Sequence, residues 1–156
     1  MAVLVFLAAP ARARVVAANL GAIAHHRRHR RNSSPARGAN VLATGDTVTI
    51  GRYPNIDYLN GGNIKGMIEA SDAYLALANN DTKVVPGHGP LGDRAALATY
   101  RRVIATIRDR VGKLKASGKS LEEVQAAKPS AEFDAQWGGG FTNPEIFVGI
   151  VYNTVS

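Results

Sequence analysis

From Asp93 to about Lys115, apolar side chains recur at Leu97, Tyr100, Ile104, Ile107, Val111 and Leu114, in steps of three and four. That spacing places them on one stripe of a helix with charged residues opposite, so a long amphipathic helix is predicted, stopped by Gly118. Asn63 is suited to capping a second helix to about Ala78, with Ile64, Met67, Ile68, Leu75 and Leu77 available for burial. Ser120-Leu121-Glu122-Glu123 has the form of a capping box and opens a short helix that ends before Pro129. Asn143-Pro144-Glu145 joins a cap, a proline at the first helical position and an acid at the positive dipole end. The helix it opens turns Ile146, Phe147, Ile150 and Val151 inward.

Two short apolar runs read as strands. Ala39-Asn40-Val41-Leu42-Ala43-Thr44 ends at Gly45-Asp46, and Lys83-Val84-Val85-Pro86 runs into the sharp turn Gly87-His88-Gly89-Pro90. Residues 47–63 contain Gly51, Pro54, Gly61 and Gly62 and read as a long loop. The order is strand, helix, strand, helix, helix, helix. Two strands make a marginal sheet, so the pattern predicts part of an α/β domain.

Charge divides the chain. Residues 1–40 hold Arg12, Arg14, Arg27, Arg28, Arg30, Arg31 and Arg37 with no acid, while the other 12 Lys and Arg stand against all 12 Asp and Glu. The net charge of +7 thus belongs to the head of the chain, and the rest is neutral. Residues 1–38 are low-complexity Ala, Arg and His sequence that cannot bury enough apolar surface to offset its ordering entropy. They are expected to be disordered or irregular and outside the fold, leaving 39–156 as a partial domain. Met1 to Pro10 is apolar but shorter than the ~20 residues of a membrane span, so no membrane role is read from it. It lacks the basic start of an export signal, although Ala11-Arg12-Ala13 has the form of a cleavage site, so a cytoplasmic location is favoured over export.

The chain has no cysteine, so a metal site must be built from His, Asp or Glu. Asp46 and His88 each follow a strand end, where open α/β sheets bind ligands. A carboxylate and an imidazole there could share a zinc ion, and the glycines around each allow close backbone approach. Taken singly, an Asp after a strand is commonly a turn former, and a His in a Gly/Pro turn is commonly a surface residue. His25, His26 and His29 sit among Arg27, Arg28, Arg30 and Arg31, which would repel a dication. That cluster reads as a solvated basic tract.

The phrasing as a whole is more specific. Asn40-Val41-Leu42-Ala43-Thr44-Gly45-Asp46-Thr47, Gly51-Arg52-Tyr53-Pro54-Asn55-Ile56-Asp57, Gly61-Gly62 with Gly66-Met67-Ile68, and Val84-Val85-Pro86-Gly87-His88-Gly89-Pro90 follow in order. With Ala127-Lys128-Pro129 and Phe133-Asp134-Ala135-Gln136-Trp137-Gly138 they resemble the metallo-β-lactamase-fold hydrolases over about three quarters of the chain, 39 to 155. The resemblance implies the C-terminal half of an αββα sandwich with a two-zinc site at one edge. It implies that Asp46 bridges two metals and that His88 ligates one. It also implies hydrolysis of a small-molecule ester, thioester or β-lactam by zinc-bound hydroxide. Fold alone does not choose among these substrates.

The family's HxHxDH motif is missing from the sequence. Two ligands do not close a tetrahedral site, so the chain is read as a truncated member, inactive alone and binding zinc weakly or not at all. Dominance of Arg, Ala, His and Pro before residue 38 fits a shifted frame, a wrong start or a fusion scar. The competing readings are a half domain completed by a partner chain that supplies the missing ligands, and an interaction or nucleic-acid-binding protein acting through the basic tract. Nucleic acid is disfavoured, because no aromatic residues interleave the arginines and no reading fold is recognised.

Overall fold

A computed structural model describes residues 40–155 and the backbone of 15–17. Three strands, β2 (Val41–Thr49), β3 (Lys83–His88) and β4 (Gly92–Asp93), form a small mixed sheet, and the backbone of β1 (Val15–Ala17) extends it beyond β2. β1, β2 and β3 run parallel, and β4 turns back antiparallel along β3. The helices are α1 (Ile64–Leu77), α2 (Arg94–Ala116), α3 (Leu121–Ala126), α4 (Ala131–Trp137) and α5 (Pro144–Thr154), with a 3-10 turn at Tyr58–Asn60. The class is α/β.

Each longer helix begins where the sequence supplies a cap. The Asn63 side chain accepts from the Gly66 amide, Asp93 from Ala96, and Asn143 from Ile146. At α3, Ser120 and Glu123 bond reciprocally as a capping box. Lys115, in the last turn of α2, donates to the carbonyls of Tyr152 and Val155 at 2.8 Å each. It thereby satisfies free acceptors at the end of α5 and ties the two helices together.

The core lies on one face of the sheet. α1 and α2 pack on it, α5 packs on α2, and α3 packs on α5. Leu42, Thr44 and Val84 point into this layer and are buried with Tyr74, Leu97, Tyr100, Ile104, Ile107, Val111, Phe147 and Val151. Alternation sends Val41, Ala43 and Val85 to the other face. There Val85 is 38% exposed.

Several boundaries differ from the sequence reading. β2 does not end at Thr44 but continues to Thr49, so residues 47–49 belong to the sheet rather than to the loop. A left-handed Gly45, with φ of +54°, absorbs the kink, and the β-branched Thr47, Val48 and Thr49 are buried beyond it. β3 likewise reaches His88. Leu77 and Ile146 are each 43% exposed, and Ala70, Ser71 and Tyr74 on α1 and Val148 on α5 take buried places instead. β4 and α4 were not anticipated. The expectations for residues 1–38 fall outside the described residues apart from the backbone of Val15–Ala17, which pairs with Val41–Ala43.

Candidate metal site

Asp46 does not stand at the strand end expected of it but on a bulge within β2, where it meets His88 at the carboxyl end of the neighbouring parallel strand β3. In register, Ala43 stands beside Val85 and Thr49 beside His88, so β2 spends six residues where β3 spends three. The surplus forms an arch at Gly45 to Val48, and Asp46 lies on its outer side. Its Oδ1 is 3.5 Å from His88 Nε2. Two ligands on a tetrahedral zinc, at ~2.0–2.1 Å from the metal, stand ~3.3 Å from one another. The pair therefore has the separation of two corners of one such site.

Close backbone approach makes this possible. A Cβ at position 87 would overlap the Asp46 carboxylate and come within 2.7 Å of the Asp46 amide nitrogen. Gly89, at φ +98°, passes against the Ile50 carbonyl in the same way. The Ile50 amide donates to the His88 carbonyl at 3.1 Å, fixing the turn that carries the imidazole.

Both side chains are open to solvent, His88 at 62% and Asp46 at 76%. A direct ion pair between them would therefore be screened and would add little stability. The exposure leaves the pair open to water. Among the described residues, no group of three or more His, Cys, Asp or Glu stands where it could hold a metal ion. Asp46 and His88 are two donors of types that zinc accepts, and the described residues do not complete a metal site around them. His25, His26 and His29 lie outside the described residues.

A buried polar layer supports the arch from the core side. The Thr47 hydroxyl donates to the Thr44 carbonyl and contacts Tyr74 Oη at 2.9 Å. Having given its one proton to a carbonyl, Thr47 Oγ1 is the acceptor from Tyr74. Tyr100 donates to the Thr47 carbonyl at 3.0 Å. Burial raises the pKa of both phenols, so both stay neutral donors. Sequence patterning places Tyr100 on the core stripe of α2 but does not single out Tyr74 on α1, and the hydroxyl partners of both depend on the arch and could not be read from spacing.

The loop after β2 is tied to the C-terminal helices. Tyr53 donates to Asp134 Oδ1 at 2.7 Å and stacks on Phe147 at 4.7 Å between centroids. Its amide donates to the Trp137 carbonyl at 3.1 Å. The Gly-Arg-Tyr-Pro segment and the Phe-Asp-Ala-Gln-Trp segment, some eighty residues apart in sequence, are therefore one structural unit. Desolvation, followed by the Asp134 carboxylate, raises the Tyr53 pKa well above its ordinary value. A cleft of about 580 Å³ between α3, α4 and α5 is lined by Glu122, Gln125, Lys128, Asp134 and Glu145, and neither Asp46 nor His88 lines it.

Comparison with known proteins gave no match to a family model and none to a curated protein.

Proposed function

We propose that residues 40–155 are the C-terminal half of a metallo-β-lactamase-fold hydrolase domain, in which Asp46 and His88 are two ligands of a zinc site. The 3.5 Å approach of Asp46 Oδ1, on the β2 bulge, to His88 Nε2, at the end of the adjacent parallel strand β3, carries this reading. Helices packed on one face of the sheet, with Val85 exposed on the other, suit half of an αββα sandwich. The tie between Tyr53 and Asp134 supports it too, because it joins two of the segments on which the resemblance rests.

In this reading Asp46 supplies negative charge and His88 a neutral nitrogen at one exposed edge, and Gly87 keeps the two within reach of one ion. Bound zinc would bring the pKa of its water toward 7 and polarise an ester, thioester or lactam carbonyl. The remaining ligands come from outside the described residues, from elsewhere in the polypeptide or from a partner chain. Two protein ligands leave most coordination to water, so affinity is low and turnover by the chain alone is not expected.

The test is metal content by mass spectrometry, with thermal stability measured with and without zinc, on the purified chain and on Asp46→Asn and His88→Ala. Weak, substoichiometric zinc that falls in both variants, with no hydrolysis of a chromogenic β-lactam or an acyl thioester above background, is the expected result. Zinc content unchanged by either substitution would refute the assignment of this pair as ligands. Tight stoichiometric zinc with turnover would refute the incomplete ligand set.

A further inference from the structure

We infer that Tyr74 and Tyr100 are positioning residues for the metal site, acting through Thr47 to hold Asp46 toward His88. The inference rests on the zinc reading above. Asp46 itself has no buried anchor, since its side chain is 76% exposed. Its neighbour is the opposite case. Thr47 is only 8% exposed and carries three polar contacts: its hydroxyl to the Thr44 carbonyl, Tyr74 Oη to its hydroxyl at 2.9 Å, and Tyr100 Oη to its carbonyl at 3.0 Å.

The tyrosines arrive from different helices, Tyr74 from α1 and Tyr100 from α2, and both are fully buried. The arch is the place where the β2–β3 ladder is least regular, with register shifts on either side of Gly45. A bulged segment lacks some of the ladder bonds that fix an ordinary strand. Two phenols on Thr47 replace that constraint and set the rotation of the chain at the preceding residue. The packing of α1 and α2 on the sheet thus determines where the Asp46 carboxylate stands. Charge plays no part at neutral pH, because burial keeps both phenols protonated.

The experiment compares the whole chain with Tyr74→Phe, Tyr100→Phe, Thr47→Val and Thr47→Ser. Val111→Ala serves as a core variant at a position on α2 outside the Thr47 contacts. Two quantities are read: the nuclear Overhauser effect between the Asp46 and His88 side chains without metal, and zinc affinity from titration of the His88 ring signals with zinc chloride. Tyr74→Phe and Thr47→Val are expected to weaken the Overhauser effect and lower zinc affinity roughly tenfold, the weight of about one buried hydrogen bond. Thr47→Ser, which keeps the hydroxyl, restores both. Val111→Ala lowers the melting temperature and changes neither. Should Tyr100→Phe fail to fold, Tyr74→Phe and the Thr47 pair still decide the matter.

The inference is overturned if the phenylalanine and valine variants keep the wild-type Overhauser effect. It is equally overturned if they keep wild-type zinc affinity while Asp46→Asn loses it, or if Val111→Ala produces the same losses. If Asp46→Asn leaves zinc binding unchanged, the metal reading fails on its own, and the metal-free Overhauser effect still decides whether the tyrosines hold the arch.

Discussion

Gly87 and Asp46 share a space that admits no side-chain carbon: a Cβ at position 87 would overlap the Asp46 carboxylate and lie 2.7 Å from the Gly45 carbonyl carbon. Backbone atoms cannot swing aside as a flexible side chain would. Gly87→Ala is therefore expected to push the β2 arch off β3, costing about 1–3 kcal/mol, in the range of overpacking substitutions. Urea denaturation gives the cost, and the lost Overhauser effect between Asp46 and His88 gives the displacement. An alanine variant as stable as wild type would show that the two strands are not this close.

The bond from Tyr53 to Asp134 makes a separate case. Tyr53→Phe keeps the stacking on Phe147 at 4.7 Å and removes only the hydroxyl that donates at 2.7 Å. A hydrogen bond to a charged acceptor contributes about 1.5–3 kcal/mol. The loss should appear in full in the single variant and not again when Asp134→Ala is added. A double-mutant cycle measures this coupling, and simple additivity of the two losses would mean that the bond is not formed.

Alkaline pH acts on the tyrosines together. The sequence holds five, and burial raises the pKa of Tyr53, Tyr74 and Tyr100 above the ordinary value of 10.0. The unfolded chain then releases these protons at lower pH than the folded one. Their contribution to stability is fully present below pH about 10 and is lost as pH rises beyond it. Circular dichroism and tyrosinate absorbance, followed together from neutral to strongly alkaline pH, should show these phenols ionising in the same step as unfolding. Ionisation of all five tyrosines before any loss of ellipticity would contradict the buried placement.

Much of the fold was legible because helices declare themselves locally. The α2 stripe from Leu97 to Val111 and the caps at Asn63, Ser120 and Asn143 each appear where spacing and residue type put them. The failures share one cause, dependence on distant partners. Gly45-Asp46 reads as the end of a strand, and only pairing with β3 shows that β2 resumes beyond it. β4 has two residues, too few for any period, and exists because it lies along Lys83 and Val84. α4 has seven residues, under two turns and too short to establish a helical period, and its Trp137 is buried by packing near Tyr100, at 6.2 Å between ring centroids. Asp46 and His88 could be named because each follows an apolar run that reads as a strand, although β2 continues beyond Asp46. Thr47, Tyr74 and Tyr100 could not be linked to the site until the arch was seen.

The shared ion is tested most directly by titrating the isotopically labelled chain with zinc chloride and following the Asp46 carboxyl carbon and the His88 ring nitrogens by nuclear magnetic resonance. Both signals should move together along one binding curve, far weaker than that of a four-ligand structural site, and Asp46→Asn should weaken the response of His88. If His88 responds identically with and without the Asp46 carboxylate, or if Asp46 does not respond at all, the two residues do not share an ion.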